Sequence, residues 1–248
     1  MAAAICYLGD GALNGAASYL GGIMLHYGLA FDHISSGESP SAGFAKSPYS
    51  LYVVSDYPAG KFGRTAMLHV AGRVQRGDAG LIMLGGWESF FGRLGEYHET
   101  PLADVLPVAM QTTDDRRNSA QPCLIRKTAG HPILAGLPWD APPGIGGFNA
   151  ILPKPNTHTL LTSVRFAVQQ HDNAFQFTRG EESPLLVVGQ YGRGRTAALA
   201  TDVAPHWVGG FVDWGNRRMT QEIAGETIEV GNWYAEFFRN LLTWTGNF

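Results

Sequence analysis

Side chains able to do chemistry concentrate in two stretches of this chain. In the first, Gly85-Gly86-Trp87-Glu88-Ser89-Phe90 follows the apolar run from Ala79 to Leu84. Adjacent glycines let backbone N–H groups approach a ligand or a developing negative charge. Gly85, Gly86 and Trp87 therefore read as a ligand-binding turn, with Glu88 as an acid–base group. Tyr97 and His98 follow closely and join the turn as candidate ligand-binding residues. The second stretch is Ala200-Thr-Asp-Val-Ala-Pro-His-Trp207, in which His206 stands four residues after Asp202 and next to Trp207. An imidazole that titrates near neutrality, with a carboxylate to orient it, can move protons. His206, Asp202 and Glu88 are the catalytic candidates, and Trp207 is a candidate pocket wall.

Other reactive groups are poorly set for catalysis. Cys6 lies inside the apolar run Ala3 to Leu8, where a thiol acts as a small hydrophobe. Cys123 follows Pro122 at the start of a short strand and has no flanking glycines. Ser89 lacks the Gly-x-Ser-x-Gly setting of a hydrolase nucleophile and is expected to cap backbone. His98, in Glu96-Tyr-His-Glu99, does not match the His-Glu-x-x-His spacing of a zinc helix. A metal shared by His98, Asp202 and His206 would depend on the fold gathering them, and neither metal nor cofactor is expected. Gly9-Asp-Gly-Ala-Leu-Asn-Gly15 exceeds a dinucleotide fingerprint by one residue and lacks the acid at the end of the second strand. Those glycines read as close helix–strand packing.

Alternating elements must position these residues. Ala3–Leu8, Phe31–Ser35, Leu51–Ser55 and Ala79–Leu84 read as strands. Between them, Leu13, Ala16, Ala17, Leu20, Ile23, Met24 and Tyr27 recur at helical spacing up to Gly28. Met67, Val70, Ala71 and Val74 do the same up to Gly77. Thr100 and Pro101 stand at the cap and first position of a short helix. Strands alternating with helices imply an α/β fold with a parallel, doubly wound sheet in flavodoxin-like order. Later, Cys123–Arg126 reads as a short strand and Thr159–Val168 as another. Pro184–Gly189 and Thr196–Thr201 form an antiparallel hairpin across Gly189-Gln-Tyr-Gly-Arg-Gly194. A last helix carries Trp233, Tyr234, Phe237, Phe238, Leu241 and Leu242.

The order of these signals resembles the glutamine amidotransferase-like family, a branch of the class I glutamine amidotransferase-like superfamily. The residues that carry the likeness begin with Gly85-Gly86-Trp87-Glu88-Ser89-Phe90, Tyr97-x-x-Thr100-Pro101-Leu102 and Leu106-Pro107-Val108. They continue through His131-Pro132-Ile133, Gly136-Leu137-Pro138, Pro184–Gly194 and Ala200–Trp207. The resemblance spans nearly the whole chain. It implies one domain over residues 1–248, a flavodoxin-like, mostly parallel sheet with an added antiparallel hairpin region, and a site at the strand ends. Working members hold a nucleophilic cysteine in Gly-x-Cys-x-Gly, with a later His and Glu. This chain has no such elbow, so glutaminase activity is not expected. A non-catalytic protein that binds a small polar ligand or associates with itself is the first expectation. A hydrolase or isomerase using His206 with Asp202 or Glu88 is the alternative.

Composition narrows the partners. Charged residues make up 16% of the 248, against about 25% in an average globular protein. A surface short of charge is often covered by a second copy, so a homo-oligomer is expected. The net charge of −3 and scattered basic residues exclude a nucleic-acid partner, and Arg116-Arg117 and Arg217-Arg218 read as solvated loops. Two cysteines make no disulfide framework, no apolar run suits a bilayer, and the N-terminus reads as a strand rather than a signal peptide. Cytoplasmic residence, with no membrane partner, is the expectation.

Overall fold

A computed structural model describes residues 4–248, so Ala3 of the first expected strand lies outside the described residues. In chain order, β1 (Ile5–Gly9), α1 (Ser18–His26), β2 (Phe31–Ile34) and β3 (Leu51–Ser55) come first. They are followed by α2 (Ala59–Phe62), α3 (Arg64–Arg76), β4 (Gly80–Leu84) and α4 (Pro101–Val105). The middle of the chain forms β5 (Val108–Ala109), β6 (Arg116–Lys127), β7 (Gly144–Asn149) and β8 (Leu152–Pro153). Next come the long strands β9 (His158–His171) and β10 (Ala174–Tyr191), then β11 (Gly194–Leu199) and α5 (Pro205–Val208). The chain closes with β12 (Arg218–Ile223), β13 (Glu226–Gly231) and α6 (Asn232–Gly246).

Among the described residues, nine strands make one sheet in the order β2-β1-β3-β4-β11-β10-β9-β6-β7. From β2 to β11 neighbouring strands run parallel, in the flavodoxin-like order. β1, β3 and β4 are buried at every position. Strands covered on both faces read as continuous apolar runs, and that is why these three are legible in sequence. Their core continues into α3 through Met67, Val70, Ala71 and Val74, and into α6 through Tyr234, Phe237, Phe238, Leu241 and Leu242. Gly77 ends α3 in the left-handed conformation. Among the described residues, no helix is long and apolar enough to cross a membrane.

Several elements differ from expectation. The first helix begins only at Ser18, because residues 11–17 turn around the end of β1, where the Ala17 N–H reaches Asp10 O. Thr100 stands at the α4 cap, but its hydroxyl donates to Tyr97 O instead of accepting from the helix. The hairpin of β10 and β11 is antiparallel as read, yet it belongs to a larger addition in which β9, β6 and β7 also pair antiparallel. Arg116 and Arg117 lie on β6 and Arg218 on β12, not in loops. Arg218 is held there by Asp213 and Glu229. Trp214 is core: it is buried against Trp139 and Phe211 and donates to Ala141 O.

Candidate functional site at the strand ends

In a sheet of this order the crevice opens where strand order reverses, outside the carboxyl ends of β1 and β3. Asp10 is the first residue past β1 and Asp56 the first past β3. Both take positive φ (53° and 40°), a left-handed turn that aspartate tolerates better than most side chains. Asp202 follows β11 on the far side of β4. One carboxylate oxygen from each of Asp10, Asp56 and Asp202 lies within 4.8 Å of the others.

The protein holds each carboxylate in place. The Tyr7 hydroxyl donates to Asp10 Oδ2. Asp56 Oδ1 accepts the Glu88 N–H at 2.8 Å, and the Asp56 N–H donates to Ser89 Oγ at 2.9 Å. Asp202 Oδ1 accepts the N–H groups of Val203 (2.6 Å) and Ala204 (3.0 Å). Burial dominates the electrostatics, raising Asp10 to about 6 and Asp56 to about 7, the latter also through the neighbouring Asp10 charge. Asp202 is raised well above the ordinary carboxylate range by burial and then by Asp10 and Asp56. Glu88, half-buried at the rim, is raised by burial as well.

The diglycine turn is built differently from an open anion cradle. The Gly85 N–H is taken by Leu199 O and Thr201 O, and the Gly86 N–H by Asn149 Oδ1 at 2.9 Å. Asn149 returns a bond to Gly86 O and another to Asp115, whose carboxylate accepts the N–H groups of Phe91 and Gly92. The glycines thus serve close approach. A Cβ on Gly86, at φ 153°, would stand 1.9 Å from Asp56 Oδ1, and one on Gly85 would stand 2.2 Å from Ala200 O. The Glu88 amide, which could have met a ligand anion, meets the chain's own Asp56 instead. Ser89 is buried and receives a backbone N–H, the capping role expected of it.

The remaining candidates separate. Trp87 is exposed at the mouth, with the Arg116 guanidinium 4.5 Å from its ring centroid and the exposed His206 ring 5.9 Å away, edge-on. His206 and Asp202 are not hydrogen-bonded; Asp202 Oδ1 instead accepts from the turn that starts α5. Trp207 is buried, donates to Asn118 Oδ1 at 2.8 Å and packs over Gly147, so it walls no open pocket. Tyr97 is also wholly buried, its hydroxyl bonded to Tyr57 O, and it pins the loop to the core instead of facing a ligand. His98 leans on Phe91, away from the carboxylates. Of His98, Asp202 and His206, only Asp202 belongs to a cluster of metal-competent side chains among the described residues.

Neither cysteine reaches the site. Cys6 sits within β1, its thiol pKa pushed up by burial. Cys123 is buried on β6, separated from β4 by β11, β10 and β9. Asp10 and Asp56 were absent from the sequence candidates. Their signal was position: each is the first residue beyond a strand that the sequence delimits.

The comparisons agree with this architecture. A cytoplasmic protein from Salmonella typhimurium LT2 is 25% identical, with a TM-score of 0.74 over 97% of this chain and 98% of its own. A second cytoplasmic protein from Salmonella typhimurium, 22% identical, reaches 0.73 over the same shares. A β-galactosidase from Rahnella sp. R3 shares the fold over 96% of this chain but 30% of its own, at 13% identity and a TM-score of 0.53. A search of the curated proteins finds no match. The sequence model described as "Putative glutamine amidotransferase" matches residues 65–223, and the chain belongs to that glutamine amidotransferase-like family.

Proposed function

We propose that this family member does not hydrolyse glutamine and instead uses the strand-end mouth to bind a small polar ligand. The observation that carries the reading is what stands at the β4 turn. Trp87 occupies the place, two residues after Gly85, that cysteine takes in Gly-x-Cys-x-Gly, and the Glu88 amide beyond it is filled by Asp56. Among the described residues no α-helix follows the turn until α4, and only a 3-10 turn, Tyr97–Glu99, comes before it, so the sharp strand-to-helix elbow is missing too. Without a thiolate there is no attack on an amide carbon, and with the amide occupied there is no donor waiting for an oxyanion. What remains exposed is Trp87 flanked by Arg116, His206 and Glu88, an aromatic platform with polar groups around it, as polar ligands require. The test is ammonia release from glutamine by the purified chain. No ammonia release above the uncatalysed background is expected, from the wild type or from a C6S/C123S variant; enzyme-like turnover by the wild type would overturn the reading.

The reading includes one domain over the whole chain, supported by a single sheet that draws strands from β1 to β11 and by α6 packing back on β3, β4 and β11. It also includes self-association. Beyond Val164 and before Glu182, β9 and β10 continue as a two-stranded ribbon with no third strand beside it among the described residues. Phe175 and Phe177, each 64% exposed, share one face of it with Val168. A ribbon with open edges and an apolar face is marginal alone in water. A second copy offers the same edge and the same phenylalanines, the self-complementary patch that a two-fold interface needs.

A further inference from the structure

The carboxylates at the switch point lack a counter-charge. Among the described residues no ion pair reaches Asp10, Asp56 or Asp202, and Asp10 and Asp202 are only 6% and 5% exposed. Grouping ionised carboxylates out of water with nothing positive nearby costs several kcal/mol per ion. Protons or a cation must complete the cluster.

A separate feature points to the cation. Ser55, the last residue of β3, is fully buried, and its hydroxyl completes no hydrogen bond. Buried hydroxyls nearly always find a partner. It lies beside the Asp10 carboxyl, close enough to draw its pKa down without completing a hydrogen bond of normal geometry, so its oxygen borders the space that Asp10 shares with the other two carboxylates.

We propose that Asp10, Asp56 and Asp202, with the Ser55 hydroxyl, form a binding site for one hard divalent cation of the Ca2+, Mn2+ or Mg2+ class. All four groups are oxygen donors, and neither imidazole nor thiolate takes part, which selects hard ions over zinc or copper. Calcium–oxygen distances of about 2.3–2.6 Å put ligands on opposite sides of the ion about 4.6–5.2 Å apart. Three oxygens that all lie within 4.8 Å of one another are no farther apart than ligands of one such ion; Mg2+ would draw the oxygens slightly closer. The depth of Asp10 and Asp202 suits a single ion better than an organic molecule. No metal is expected from the sequence, where the only candidate trio is His98, Asp202 and His206. This inference specifies part of the polar ligand at the proposed mouth, but it stands on other atoms than the missing cysteine, so the ammonia assay and the cation assay fail separately.

The test uses the full chain, stripped with chelator and exchanged into metal-free neutral buffer. Binding of Mn2+ is followed by loss of the free-ion electron paramagnetic resonance signal, and binding of Ca2+ and Mg2+ by calorimetry. One saturable site per chain is expected, weakened at least tenfold in D10N and in D202N, the usual range for loss of a ligating group or its support, and less in S55A. Mn2+ should also raise the melting temperature of the wild type but not of D10N. Circular dichroism checks each variant's fold. Asparagine removes like-charge repulsion, and S55A keeps all three carboxylates, so a folded variant remains to be read. Absence of saturable binding of all three ions up to about 10 mM, well above the weakest calcium modules, would overturn the proposal. So would binding that D10N, D202N and S55A all leave unchanged.

Discussion

At the scale of single residues, the site depends on Gly86 having no side chain. Its φ of 153° and the 1.9 Å approach of a hypothetical Cβ to Asp56 Oδ1 come from one geometry. The β4 turn passes directly under the Asp56 carboxylate while Asn149 clamps the peptide on both sides. G86A must push Asp56 away or move the turn, and it adds backbone strain. We expect it to lower unfolding stability by about 2–5 kcal/mol, the range for a strained and overpacked position, read as a reduced urea midpoint with an unchanged slope. A midpoint within error of the wild type would show that the turn relaxes freely.

At the scale of elements, the parallel half of the sheet and the antiparallel half do different work. β1, β3, β4 and β11 are short and buried, and deliver their carboxyl ends to one crevice. β9 and β10 are long, because beyond the sheet they continue as the exposed ribbon. Charges placed on the ribbon face should interrupt association without touching the core. F175D/F177D is expected to sediment as a smaller species than the wild type while melting within about 2 °C of it, as surface substitutions cost little. Equal sedimentation of the two proteins would remove the ribbon from any interface.

At the scale of the whole molecule, the buried acids set a pH dependence. Asp10 and Asp56 titrate at about 6 and 7 when folded, against 3.8 for an ordinary aspartate. Between those values the unfolded chain has lost protons that the folded one retains. Their contribution is therefore fully present below about pH 4 and is lost as pH rises through 6 to 7. In chelator, the wild type should melt several degrees lower at pH 8 than at pH 5, on the scale of about 2–4 °C per kcal/mol. His33, His69 and His131, lowered by burial, act in the opposite direction as they protonate below neutrality. The comparison is accordingly with D10N, whose melting temperature should fall less over the same interval. An identical pH slope in both proteins would mean that Asp10 titrates normally.

The sequence by itself determined what local pattern can carry. Uninterrupted apolar runs specified β1, β3 and β4, helical spacing specified α3 and α6, and the residues themselves show that Gly-x-Cys-x-Gly does not occur. The ends of long strands were not legible, because the exposed parts of β9 and β10 carry no core-facing alternation for a pattern to detect. Only the tertiary structure decided who meets at the site. Asp10, Asp56 and Asp202 leave three different strands, and parallel pairing through β4 brings those ends together. The diglycine amides looked free because their partners, Asn149, Leu199 and Thr201, come from distant β7 and the end of β11. Hydrogen bonds and carboxylate contacts between remote segments follow from strand order, and no local spacing records that order.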